Sequence, residues 1–95
     1  MLSENDVKCQ VKDYLRIMGW FWFYNRQGLG SYPGIPDFIA IKNGRTIYIE
    51  AKSPTGTQRF AQKTFEWNIK HQKGEYLLID NLDDLIKAID RIEGR

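Results

Sequence analysis

The chain has 95 residues, 42% of them hydrophobic and 27% charged, with a net charge of +2. Residues 1–95 are therefore expected to form a single domain with one core, which excludes a disordered chain, and the weak positive charge permits a nucleic-acid partner without requiring one. One cysteine and one histidine exclude an intramolecular disulfide, a cysteine-cluster zinc site and a histidine-rich metal site. With no long apolar run and no signal-peptide pattern, the expected location is cytoplasmic, with no membrane partner.

Ser3 begins a first helix as its N-cap, and Asp6 at the third helical position completes a capping box. Val7, Val11, Tyr14, Leu15 and Met18 recur at helical spacing until Gly19 ends the run. Glu4 continues that inward stripe, and spacing alone assigns it to the helix dipole. Cys9 lies off the stripe, as a packing or surface residue. Trp20-Phe21-Trp22-Phe23-Tyr24 suits a strand whose two faces are both apolar. Burial in the core is the first expectation, with contact to a second chain or stacking of unpaired bases as alternatives.

Residues Asn25 to Ile35 read as a loop rich in glycine. It lacks the Gly-Lys-Ser/Thr ending of a phosphate-binding loop and leads into a strand rather than a helix, so a dinucleotide fingerprint also fails. Because it delivers the chain to Asp37, it reads as a substrate-facing rim, with Arg26 and Tyr32 as contacts to a nucleic-acid backbone. Two strands follow, joined by Asn43-Gly44, a strong two-residue hairpin signal. That loop pairs Lys42 with Arg45, Ile41 with Thr46, Ile39 with Tyr48 and Asp37 with Glu50. Lys52 shares the face of Glu50, while Ile47, Ile49 and Ala51 point the other way.

Ser53-Pro54-Thr55-Gly56 breaks the strand, and Thr57 is the expected N-cap of a second helix running to about Lys73 and closed by Gly74. Phe60, Ala61, Phe65, Asn68, Ile69 and Gln72 mark one broad face of it. Gln58, Arg59, Gln62, Lys63 and Lys70 make the rest polar and basic, and His71 reads as a surface residue. Tyr76-Leu77-Leu78-Ile79 is a short strand consistent with burial on both faces. Asn81 caps a last helix carrying Leu82, Leu85, Ile86, Ile89 and Ile92, with a tail from Glu93 to Arg95 that is expected to fray. The order α-β-β-β-α-β-α makes an α/β domain, helices against a small mixed sheet.

Two carboxylates opposed across a hairpin repel unless something positive sits between them. Asp37 and Glu50 offer oxygen ligands to a hard cation such as Mg²⁺ or Mn²⁺, and the Ala51 carbonyl offers a third if the strand ends there. Lys52 beside them would orient water or neutralise charge at a phosphodiester during hydrolysis. A solvent-exposed charge cluster is the competing reading of the same residues.

Pro36-Asp37, followed by Glu50-Ala51-Lys52, resembles the signature of the PD-(D/E)XK nuclease superfamily. Ser3-Glu4, Gly34-Ile35-Pro36-Asp37, Glu50-Ala51-Lys52-Ser53-Pro54-Thr55-Gly56 and Gln62 look like one family in particular, the viral-type replication-repair nucleases (VRR-NUC). The resemblance implies a restriction-endonuclease-like core and a Mg²⁺- or Mn²⁺-dependent DNA endonuclease. It makes Asp37, Glu50, Lys52 and Gln62 catalytic, with Asp37, Glu50, the Ala51 carbonyl and Glu4 as metal ligands, Glu4 directly or through water. Arg26, Tyr32, Arg59 and Lys63 are the candidate DNA contacts. Stand-alone members resemble archaeal-type Holliday-junction resolvases in size, so the expected partner is branched DNA, a four-way junction, cut by a homodimer. A flap or nicking nuclease, or a non-catalytic nucleic-acid-binding module of the same fold, are the alternatives.

Overall fold

The Asn43-Gly44 turn sets the geometry of the whole sheet. Both residues take positive φ, 51° and 78°, the backbone of a tight hairpin turn whose twist matches that of the strands it joins. In the computed structural model, which describes residues 1–26 and 28–95, this turn links β2 (Phe38–Lys42) to β3 (Arg45–Ala51). The pairs are Lys42 with Arg45, Ile41 with Thr46, Ala40 with Ile47, Ile39 with Tyr48 and Phe38 with Ile49. This is the register expected from a two-residue loop.

The remaining elements are α1 (Glu4–Ile17), β1 (Phe21–Tyr24), α2 (Phe60–His71), β4 (Glu75–Ile79) and α3 (Leu82–Glu93). The strands lie in the order β1-β2-β3-β4. β1 and β3 flank β2 antiparallel, whereas β4 runs parallel to β3 after the α2 crossover. The product is a compact α/β fold with a mixed four-stranded sheet and three helices. No helix among the described residues is long and apolar enough to cross a membrane.

Side-chain parity sorts the sheet into two faces. Phe38, Ala40, Ile47, Ile49, Ala51, Leu77 and Ile79 meet Val7, Val11 and Leu15 of α1 and Leu85 and Ile89 of α3 in one core. On the other face Tyr48 and Tyr76 pack against Phe65 of α2, with ring centroids 5.8 and 6.5 Å apart. Ser3 caps α1, accepting from the Asp6 amide, and the Asp6 carboxylate accepts from Ser3 in return, as expected. Asn81 likewise accepts from the Asp84 amide at the start of α3.

Four expectations are corrected. The aromatic strand is not buried on both faces: β1 is a sheet edge, Trp20 is buried ahead of it, and Phe21 is 66% exposed with Phe23 and Tyr24 also exposed. Its Phe21 and Phe23 lie on the α2 side, and α2 packs over the β3–β4 half instead. Leu78 of β4, the opposite sheet edge, is exposed as well. Thr57 does not cap α2. The helix starts at Phe60, because the Arg59 amide is satisfied at 2.8 Å by the Gln62 carboxamide, and it ends at His71 before a turn in which the Gly74 amide returns to Ile69. Nor does the C-terminal tail hang free, since Lys42 ties Glu93 at 3.0 Å and the Met18 carbonyl at 2.7 Å, while Arg95 pairs with Asp90.

Gly44→Val puts a β-branched residue where φ is 78°. The expected cost is about 1–2 kcal/mol, read as a lower urea midpoint at unchanged slope.

Candidate active site

The site forms where the β2–β3 ladder stops. Beyond the Phe38–Ile49 pair, two backbone amides are satisfied by carboxylates. The Asp37 amide donates to Glu50 Oε1 at 3.2 Å, and the Ala51 amide donates to Asp37 Oδ2 at 2.9 Å. Each acid thereby fixes the strand of the other. On the far side the Asn25 amide donates to the Asp37 carbonyl at 2.7 Å and its side chain donates to the Pro36 carbonyl at 3.0 Å, which extends the β1–β2 edge as far as the acid. Asp37 is 3% exposed and Glu50 1%, so the two opposed acids are not a solvated surface cluster.

Two lysines and one glutamine surround the acids. Lys52 Nζ lies 3.4 Å from Glu50 Oε2 and 3.9 Å from Glu4 Oε1. Lys8 Nζ lies 3.7 Å from Asp37 Oδ1, 3.2 Å from Glu4 Oε2 and 3.1 Å from the Tyr24 hydroxyl. Gln62, 1% exposed, donates to Glu50 Oε2 at 2.9 Å through Nε2 while its carbonyl oxygen accepts from the Arg59 amide. Its partner in the protein is thus the Glu50 carboxylate, and the same carboxamide opens α2.

These distances explain the titration of the pair. Burial, then repulsion from Asp37, pushes Glu50 up to about 7, with Lys52 acting in the opposite sense. Burial also raises Asp37 above the ordinary carboxylate range, opposed by the Ala51 amide and Lys8. Burial by itself would lower Lys8, but the Tyr24 hydroxyl, Asp37 and Glu4 outweigh it and hold the ammonium above the usual lysine value. Two carboxylates kept close in a low-dielectric wall, with lysines only partly offsetting them, form a site with residual affinity for positive charge.

A cleft of about 340 Å³ opens over this group, lined by Glu4, Lys8, Tyr24, Arg26, Asp37, Glu50, Lys52, Arg59 and Gln62. Elements distant in sequence converge there: α1 supplies Glu4 and Lys8, the β1 end Tyr24, the hairpin Asp37 and Glu50, and the start of α2 Arg59 and Gln62. Of the candidate DNA contacts, Arg26 and Arg59 face this cleft, Tyr32 lines a second cleft, and exposed Lys63 lines neither. Glu4 reaches the two lysines rather than the two buried acids. Among the described residues no three carboxylate, imidazole or thiolate side chains converge as a metal-holding group.

The donors nonetheless suit a hard divalent cation. Asp37 and Glu50 supply two buried carboxylates, β3 ends at Ala51 so that its carbonyl sits at the strand terminus, and every donor is oxygen. Magnesium sites commonly use one or two carboxylates and leave other positions to water and phosphate. No family model and no curated protein matches this chain.

Lys8 and Gly34 are the residues that the sequence reading passed over as individuals. The signal for Lys8 was present in its spacing four residues after Glu4, which places both on one helix face. Gly34 has φ of 78°, and a Cβ there would overlap the Ala61 carbonyl and stand 2.9 Å from the Gln62 amide. The loop thus rests directly on the first turn of α2, beside the carboxamide that holds Glu50.

The sign of the Glu50 shift gives a pH test. An acid raised from 4.5 to about 7 binds more protons folded than unfolded between those values, so stability falls as pH rises through that window. Glu50→Gln removes this titration, so its stability relative to wild type is expected to rise between about pH 4 and about pH 8 by on the order of 1 kcal/mol, against a constant cost from turning a carboxamide N–H toward the Asp37 amide or Gln62 Nε2. Thermal unfolding of both proteins across this range in EDTA measures it.

Proposed function

We propose that this chain is a divalent-metal-dependent DNA endonuclease of the VRR-NUC type, with the PD-(D/E)XK core that its motif spacing resembles. The observation that supports this best is the buried Asp37–Glu50 pair, each acid hydrogen-bonded to the other's strand, with Lys52 at 3.4 Å from Glu50. Asp37, Glu50 and the Ala51 carbonyl are the proposed holders of Mg²⁺ or Mn²⁺, with Glu4 reaching it through water. When bound there, the cation supplies Lewis acidity toward a phosphodiester oxygen and toward water.

The protein's own groups have separate tasks. Lys52, one strand repeat beyond Glu50, donates toward the attacking water and toward the charge that develops on the phosphorus oxygens. Gln62 keeps Glu50 in one orientation through its hydrogen bond to Oε2. Lys8 and its Tyr24 partner hold Asp37 from the other side. Arg26 and Arg59 line the cleft as contacts for flanking phosphates. Three carboxylates and four cations line it, and a divalent cation would leave the wall clearly positive toward an anionic strand.

The proposed assembly is a cytoplasmic homodimer acting on branched DNA. Its support is the half of the sheet that α2 leaves uncovered, where Phe21, Phe23 and Ile41 are exposed beside an unpaired strand edge, β1. Pairing two such edges about a two-fold axis would cover both patches and present two cleavage sites.

Cleavage of end-labelled four-way junction, flap, nicked and linear duplex DNA in Mg²⁺ and Mn²⁺ tests the reading. Lys52→Ala and Asp37→Ala are each expected to lower the rate by about 100-fold or more. Paired symmetric cuts restricted to the junction support a resolvase; equal cutting of flap or linear DNA leaves a nuclease of another preference. Tight binding without cleavage of any substrate would make the chain a binding module.

Mg²⁺ is further expected to raise the melting temperature of the wild-type protein and not that of Asp37→Ala, by preferential binding to the folded state. For assembly, Phe21→Asp should convert a dimer to monomer in analytical ultracentrifugation with the fold intact. A wild-type protein that sediments as a monomer with and without junction DNA would remove the dimer.

A further inference from the structure

A second cleft, of about 360 Å³, borders the first. It is lined by Tyr32, Pro33, Phe60, Ala61, Thr64, Phe65 and Asn68. The α2 contributors fall on one stripe of the helix, and the loop residues Tyr32 and Pro33 form the facing wall. Phe60 is 85% exposed and Tyr32 also stands in solvent. Below them Phe65 meets the Tyr32 ring edge-on, with centroids 5.7 Å apart. A lone exposed phenylalanine has no particular meaning. Here aromatic rings, a proline and two small polar side chains enclose one volume of the size used by small ligands.

The two clefts share a wall. Along the first turn of α2, Arg59 and Gln62 face the first cleft while Phe60 and Ala61 face the second. Gly34 closes onto this same turn from the loop side, where no Cβ fits. A strand with a phosphate over Asp37 and Glu50 would therefore run past Arg59 with its next bases beside Phe60, within about one helical turn. Aromatic faces take nucleobases of any sequence by stacking, and the donors and acceptors of Asn68 and Thr64 can meet a base edge. A base-paired nucleotide keeps its faces stacked inside the duplex and cannot enter such a cleft.

We infer that the Tyr32–Phe60–Asn68 cleft is a subsite for an unpaired nucleobase of the DNA substrate, next to the scissile phosphate. The inference rests on the nucleic-acid reading above and sharpens it. The preferred substrates would carry an unstacked nucleotide beside the cut, as at a branch point, a flap or a single-strand gap. The first cleft, across the shared wall, is lined by four cations and three carboxylates, which favours a nucleic-acid strand over a second copy of the chain as occupant.

The test is fluorescence anisotropy with the full chain in EDTA, which separates binding from cleavage. The probes are a short single-stranded oligothymidylate and a blunt duplex of equal length. Phe60→Ala is expected to weaken oligothymidylate binding by about tenfold, with duplex binding and melting temperature unchanged, and Phe60→Trp is expected to restore it. With 2-aminopurine in the strand, quenching on binding should be lost in Phe60→Ala. Unchanged single-strand affinity in Phe60→Ala, or an equal loss for duplex, overturns the subsite. So does a shift from dimer to monomer in that variant, which would give the cleft to a second copy. A wild-type protein that binds through Phe60 yet cleaves nothing keeps the subsite and defeats the nuclease reading. Lys52-dependent cleavage with Phe60-independent binding does the reverse.

Discussion

Two backbone amides at the open end of the β2–β3 hairpin are satisfied by carboxylates instead of carbonyls, and much of the molecule is arranged around that substitution. A buried amide must find an acceptor. Here the acceptors are Asp37 and Glu50, each reaching across to the other's strand. The exchange fixes both acids without ordinary side-chain freedom, the preorganisation that the proposed chemistry would draw on. It also places two negative charges in a wall that water barely reaches. Lys8 and Lys52 offset that charge from opposite sides, and neither pairs with one acid alone.

Gln62 carries the arrangement into the second layer. One end of its carboxamide starts α2 and the other holds Glu50. The position of the helix and the orientation of the acid are therefore a single structural fact. Gly34 adds the loop to the same unit, because its missing Cβ lets the chain approach the Ala61 carbonyl. Local rules of helix capping and charge burial are both bent at this one place, which is where a functional site is expected to depart from them.

The sheet is covered unevenly. α1 and α3 bury one face along β2, β3 and β4, whereas α2 covers only the β3–β4 half of the other. Aromatic side chains fill much of what remains exposed, on β1 and around the start of α2. Such surfaces are a liability for a chain alone in water and an asset to one that meets a partner or a nucleic-acid strand.

Local chemistry made much of this legible in the sequence. Asn-Gly turn geometry and period-two alternation set the hairpin register through Phe38–Ile49, and with it the approach of Asp37 to Glu50. Ser3 and Asn81 announced two helix starts for the same reason, since a cap acts on amides only two or three residues away. The Thr57 start failed because the true cap acceptor is Gln62, a side chain already committed to a distant strand. The aromatic run was misread because its composition describes a strand but says nothing about which layer covers it. Lys8 stood four residues from Glu4 in plain view, yet its bond to Tyr24 and its approach to Asp37 join three separate elements. By itself the sequence determined the elements, the register of the hairpin and the two acids at its open end, since those depend on neighbours along the chain. Only the tertiary structure decided how deeply the acids are buried, which cations face them and which apolar surfaces stay open, because burial and Coulomb energy depend on distances between segments that local sequence does not specify.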